Sequence, residues 1–153
     1  MTTPNVQPIF IKKPLIFEAE ISNQTVPGVR VGSSVPALIG KAGQNGSLIE
    51  EMSLIRSGEQ GDNTTIFFYL KNDESGKYSA KLKKYLEDPG YYDFQDETSD
   101  VIEIELPKLL SPASCDGSSP HHGLRIPAGW GLYAGLTNAV NNPLVVVATG
   151  GDY

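Results

Sequence analysis

Apolar and polar residues alternate along this chain with a period of two, which is the pattern of half-buried antiparallel strands and not of helices. Val101-Ile102-Glu103-Ile104-Glu105-Leu106 is the strictest case, with Ile102, Ile104 and Leu106 on one face and Glu103 and Glu105 facing water. Ile16-Phe17-Glu18-Ala19-Glu20-Ile21 alternates as well. Residues 64–70 and 144–148 are dense in β-branched and aromatic side chains, and both read as central strands. Shorter strands are expected at 35–39, 48–55, 78–86, 123–126 and 130–134. Turn signals punctuate them: Gly43-Gln44-Asn45-Gly46, residues 58–62 and 72–76, Pro89-Gly90, and Pro127-Ala128-Gly129. Residues 47–56 and 77–87 contain fair helix formers, but Tyr78 and Tyr85 favour a strand, and both segments are assigned as strands. Eight or nine short strands at this spacing predict an all-β antiparallel β-sandwich, jelly-roll-like, with an extended N-terminal arm.

Composition narrows the function classes. The 153 residues are one domain's worth, able to hide roughly 70% of the unfolded surface without a covalent staple. Sixteen glycines and eleven prolines suit a turn-rich β fold better than a bundle. Twelve bases against eighteen acids leave a net charge of −6, which argues against nucleic acid as a partner. A single cysteine forbids an internal disulfide. The first residues lack a basic leader followed by an apolar stretch, and the run 144–148 is far short of the ~20 residues a membrane helix needs. The expectation is a soluble protein made in the cytoplasm, with no membrane partner.

Two regions depart from the sandwich pattern. Residues 1–14 are assigned to the arm and 15–153 to the sandwich domain, with a divergent insertion at about 87–122. The insertion opens with eight acids and no base between Glu87 and Glu105, and holds a Ser/Pro-rich loop at 111–120. Reactive side chains are sparse. Cys115, Asp116, His121 and His122 lie close in sequence, but adjacent strand histidines point to opposite faces and the spacing is not that of a zinc site. No Gly-x-Ser-x-Gly elbow occurs, and Gly28, Gly32, Gly40, Gly43 and Gly46 lack a strand–loop–helix context for phosphate; turns needing positive φ account for them better. The acidic stretch lacks the ladder of a calcium loop. Hence no catalytic residue, metal or cofactor is assigned. The arm is the more telling feature. Val6, Ile9, Phe10 and Ile11 beside Lys12 and Lys13 need an apolar surface to cover them, either on a partner or as the first strand of the chain's own sheet.

Three blocks carry a resemblance: Ala42-Gly43-Gln44-Asn45-Gly46-Ser47 leading into a strand; Ile66-Phe67-Phe68-Tyr69-Leu70 followed by Leu124-Arg125-Ile126-Pro127-Ala128-Gly129-Trp130-Gly131-Leu132-Tyr133-Ala134; and the final Val146-Val147-Ala148-Thr149-Gly150-Gly151-Asp152-Tyr153. From about residue 35 to the end the chain resembles a family of small proteins encoded in tailed-phage genomes. That resemblance implies a virion component, and an acidic β domain with an arm resembles a capsid cement (decoration) protein on the outside of the phage head. The implied partners are the major capsid protein and further copies of the chain, as a homotrimer. Val6, Ile9, Phe10, Ile11, Lys12 and Lys13 would then be arm contacts. Tyr91, Tyr92 and Phe94 would be interface anchors, or else the core of an extra hairpin. Trp130 and Tyr133 are expected in the core, with Tyr153 packing the C-terminus down and Asp152 accepting backbone hydrogen bonds. An alternative virion role is receptor or glycan binding, with Tyr91, Tyr92 and Trp130 as a stacking platform and Asp93 and Asp96 accepting sugar hydroxyls.

Overall fold

The computed structural model describes residues 13–24, 35–56, 60–88, 100–108 and 122–153. Among the described residues nine strands run in the order β1 (Lys13–Ile21), β2 (Ala37–Lys41), β3 (Ser47–Arg56), β4 (Thr64–Asn72), β5 (Tyr78–Leu86), β6 (Asp100–Glu103), β7 (Leu124–Ile126), β8 (Trp130–Leu136) and β9 (Leu144–Asp152). They build two antiparallel sheets, ordered β1-β9-β3-β6 with β7 also on β3, and β2-β8-β4-β5. The chain crosses repeatedly from one sheet to the other, so sequence neighbours β1, β2 and β3 alternate between layers. This is jelly-roll topology. Among the described residues there is no helix.

The alternation read from the sequence decides what each face touches. Along β1, Leu15, Phe17, Ala19 and Ile21 turn inward while Ile16, Glu18 and Glu20 turn out. Ile66, Phe68 and Leu70 of β4 meet Leu132, Ala134 and Leu136 of β8 on the inner side of the second sheet. Ile49, Met52, Leu54, Leu144, Val146 and Ala148 close the core from the first sheet. Both expected central strands are central: β9 lies between β1 and β3, and β4 between β8 and β5.

Several boundaries move. β1 begins at Lys13, so Lys13 and Pro14 belong to the sheet, opposite Asp152 and Gly151, and the sandwich starts two residues before the expected Leu15. Proline is tolerated there because β1 is an edge strand. β9 continues through Asp152, beyond the apolar run, because ladder bonds to β1 and β3 hold Thr149 to Asp152 without apolar side chains. β6 stops at Glu103, yet Ile104 and Leu106 remain buried as expected, with Ile104 N–H donating to Met52 O at 2.9 Å.

Of the glycines read as positive-φ turns, Gly46 is one (φ 93°), whereas Gly40 and Gly43 are required for close approach. A Cβ on Gly40 would enter the Phe17 ring, and one on Gly43 would meet the Asp152 carboxylate at 2.6 Å. Gly28 and Gly32 lie outside the described residues.

A buried polar knot ties the sheets together at one end. Arg56, at the end of β3, donates to Gln60 Oε1 (3.0 Å), Glu87 O (2.8 Å) and Asp100 Oδ2 (2.5 Å). Gln60, itself buried, donates to the carbonyls of Asp62 (2.6 Å) and Leu86 (3.0 Å). β3, the end of β5 and the start of β6 are thereby fixed to one another.

Candidate functional site

The two blocks that carry the resemblance at opposite ends of the chain meet in space. Gly43 N–H donates to Ser47 Oγ (2.9 Å), and the Ser47 hydroxyl donates to Asp152 Oδ1 (2.5 Å). Tyr153 N–H donates to Gly46 O at 3.1 Å. Asp152 therefore accepts from a serine hydroxyl where backbone donors were expected, because the β2–β3 turn presents Ser47 to it. The arrangement ties the last two residues to the β2–β3 turn. Asp152→Ala should cost about 1.5–3 kcal/mol, the range for a hydrogen bond to a charged group, read as a lower urea midpoint with unchanged slope.

The outer face of the β1-β9-β3-β6 sheet is the candidate attachment surface. Register places its side chains in rows: Glu20, Val145, Ile55 and Val101 across one, Glu18, Val147, Ser53 and Glu103 across the next, and Ile16, Thr149 and Glu51 across a third. Val145, Ile55 and Val101 thus make one aliphatic row with Val147 beside it, Ser53, Thr149 and Glu51 fill the rest of the two middle strands, and Ile16 (72%) and Val101 (60%) stand far into solvent. Carboxylates border them on β1 and β6. An apolar centre with a charged border is the anatomy of a protein interface.

Over β3 and β6 the same face carries an open concavity of about 560 Å³, lined by Glu50, Glu51, Glu103, Glu105, His122 and Val147 among others. His122 Nδ1 donates to the Leu106 carbonyl at 3.0 Å; a carbonyl only accepts, so that nitrogen carries the proton. Among the described residues no three histidine, cysteine or acidic side chains gather as a metal site. Cys115, Asp116 and His121 lie outside the described residues.

The opposite outer face, on β2-β8-β4-β5, has a different chemistry that sequence reasoning did not single out. Phe67 and Tyr69 stack at 6.2 Å, Tyr69 meets Tyr78 edge-on at 6.0 Å, and Tyr78 meets Tyr133 at 5.3 Å. Lys71 Nζ lies over the rings of Tyr78 (5.1 Å) and Tyr133 (5.5 Å). Burial pushes the Tyr69 phenol above its ordinary pKa. Tyr133 is buried, as expected, but under this aromatic row and not between the sheets, whereas Trp130 does pack against the inner core. The signal was available in Thr65-Ile66-Phe67-Phe68-Tyr69-Leu70-Lys71: a period of two puts Phe67, Tyr69 and Lys71 on one side and Ile66, Phe68 and Leu70 on the other. At the edge of this face Lys41 pairs with Asp73 at 3.0 Å, a hydrogen bond and opposite charge that raise the pKa of the exposed ammonium.

Of the residues assigned to partner contact, Lys13 lies in β1. Val6, Ile9, Phe10, Ile11, Lys12, Tyr91, Tyr92 and Phe94 lie outside the described residues, as do Asp93 and Asp96.

No protein-family model matches the chain, and no curated protein sequence does. Among solved structures, the chain is similar to an Eiger TNF from S. frugiperda, with 11% identity over 92% of this chain and 94% of that one, at a TM-score of 0.46. It is also similar to structures of infectious bursal disease virus. The Gx strain matches at 12% identity over all of this chain and 42% of that one, and the Gt strain at 12% over all of this chain and 43% of that one, each with a TM-score of 0.26. The fold assignment rests on the strand order itself: two antiparallel layers wound as a jelly roll.

Proposed function

We propose that this chain is a structural virion protein, a cement protein that binds the outside of a phage head and ties neighbouring major capsid subunits together. One observation carries the reading: the aliphatic outer face of the β1-β9-β3-β6 sheet, with Ile16 and Val101 exposed and carboxylates around it. Exposed aliphatic side chains gain by being covered. A protein joining several subunits also needs only modest contacts at each, because attachment at one point raises the effective concentration at the next. Val6, Ile9, Phe10 and Ile11 of the arm add a second attachment element in this reading.

The test is retention on purified heads that lack the protein. Ile55→Asp with Val147→Asp should weaken retention at least tenfold, about 1.4 kcal/mol, while far-ultraviolet circular dichroism stays unchanged. Retention equal to that of the unaltered chain would sink the proposal.

The glycan-binding alternative gains a footing in the aromatic and lysine face of the second sheet, where Tyr69, Tyr78, Tyr133 and Lys71 cluster. Binding on a glycan array, lost in Tyr78→Ala, together with no retention on heads, would favour it over the cement role.

A further inference from the structure

We propose that residues 1–12 of one copy lie across the outer face of the β1-β9-β3-β6 sheet of a second copy, so that copies are joined by exchanged arms. The inference rests on the attachment reading above for taking this face as one that is covered, and it gives the cover to a second copy where that reading gave it to a capsid subunit.

Complementarity argues for this occupant. The face has an aliphatic centre of Val145, Val147 and Ile55, bordered by Glu18, Glu20 and Glu103. The arm has the opposite balance: Val6, Ile9, Phe10 and Ile11 supply apolar side chains, Lys12 and Lys13 supply charge, and no acid occurs from residue 1 to 13. Apolar side chains meet apolar side chains, and lysine meets carboxylate at the border. Single exposed ion pairs contribute little, so the carboxylates chiefly select a basic strip over an acidic one.

Length and exit point argue that the strip belongs to a second copy. The arm joins the molecule at Lys13, on the edge strand β1. Twelve extended residues reach about 40 Å, against roughly 15 Å across four strands spaced near 4.8 Å, so a neighbour's face is within reach. Returning onto its own sheet would require a sharp reversal just before β1. Pro14 holds Lys13 extended, Pro4 and Pro8 restrict the backbone further, and residues 1–13 contain no glycine to take the positive φ of a tight turn.

Sedimentation velocity on the full chain tests the proposal. The unaltered chain should sediment as an oligomer. Phe10→Asp with Ile11→Asp alters only the arm, and Glu18→Lys with Glu20→Lys and Glu103→Lys alters only exposed positions of the face. Each variant should weaken association at least tenfold with an unchanged circular dichroism spectrum. Mixing the two variants should restore mixed complexes, because one supplies the faces and the other the arms. A monomeric unaltered chain overturns the proposal, whether its arm is protected from protease (occupancy of its own face) or cleaved at once. So does a mixture that fails to associate. If the chain is monomeric yet head retention needs both arm and face, exchange falls and the cement reading stands. If arms exchange but heads retain nothing, exchange is supported and the cement reading falls.

Discussion

Phe68→Ala should lose about 3–5 kcal/mol of folding stability, the largest effect expected of any truncation in this molecule. Phe68 is fully buried, pairs across β4 with Ala134 on one side and Leu82 on the other, and points between the sheets. Its neighbours, Ala134 among them, are too small or too well fixed to fill the void, so a cavity cost adds to the lost transfer energy. For a chain of this length each kcal/mol moves the midpoint by about 2–4 °C, so thermal unfolding should shift by about 6–20 °C. Phe67→Ala is the control one residue away. Phe67 turns to the outer face, stacks on Tyr69 and is half-exposed, so its loss should be well under half as large. Equal losses at the two positions would mean that the faces of β4 have been assigned wrongly.

Gly150→Ala is the second large effect, with an expected cost of about 3 kcal/mol or more. Inserting atoms into a well-packed site usually costs about 1–3 kcal/mol, and more when nothing nearby can yield. Here a Cβ would stand 1.9 Å from the Leu48 carbonyl oxygen and 2.9 Å from its carbon. Both are backbone atoms, at the place where β3 bulges between Ile49 and Glu51 against β9. No rotamer relieves such a clash, so β3 and β9 must part and give up ladder bonds. Gly129→Ala separates sterics from backbone conformation. Gly129 has φ +80° with open space around it, so only the left-handed penalty of about 1–2 kcal/mol applies. Urea unfolding of both variants decides the matter; a Gly150 variant as mild as the Gly129 variant would show that the bulge relaxes freely.

Much of the architecture was legible because a strand's side chains alternate strictly. The inward set of β1, the burial of Ile104 and Leu106 and the partial burial of Ile102 follow from counting by two, and the central placement of β4 and β9 from their density of β-branched and aromatic side chains. Strand ends were less legible, since Thr149, Gly150, Gly151 and Asp152 are held by ladder bonds that leave no mark on hydropathy. The roles of Gly40 and Gly43 were misread for a related reason. A glycine needed under a ring or beside a carboxylate looks the same in sequence as one needed for a turn, and the Phe17 ring and Asp152 carboxylate come from distant strands. Of the candidate site, the residues of the outer face were visible one strand at a time, but not as a surface.

By itself the chain's alternation determined that this protein is a two-layered β structure, which residues of each strand face its interior, and that its first thirteen residues are apolar, basic and free of acid. Tertiary structure alone decided which strands lie side by side. That order gathers Val145, Val147, Ile55 and Val101 into one aliphatic face and Tyr69, Tyr78, Tyr133 and Lys71 into another. Strand order depends on pairings between residues a hundred positions apart, and their energy comes from packing between layers that no local pattern encodes.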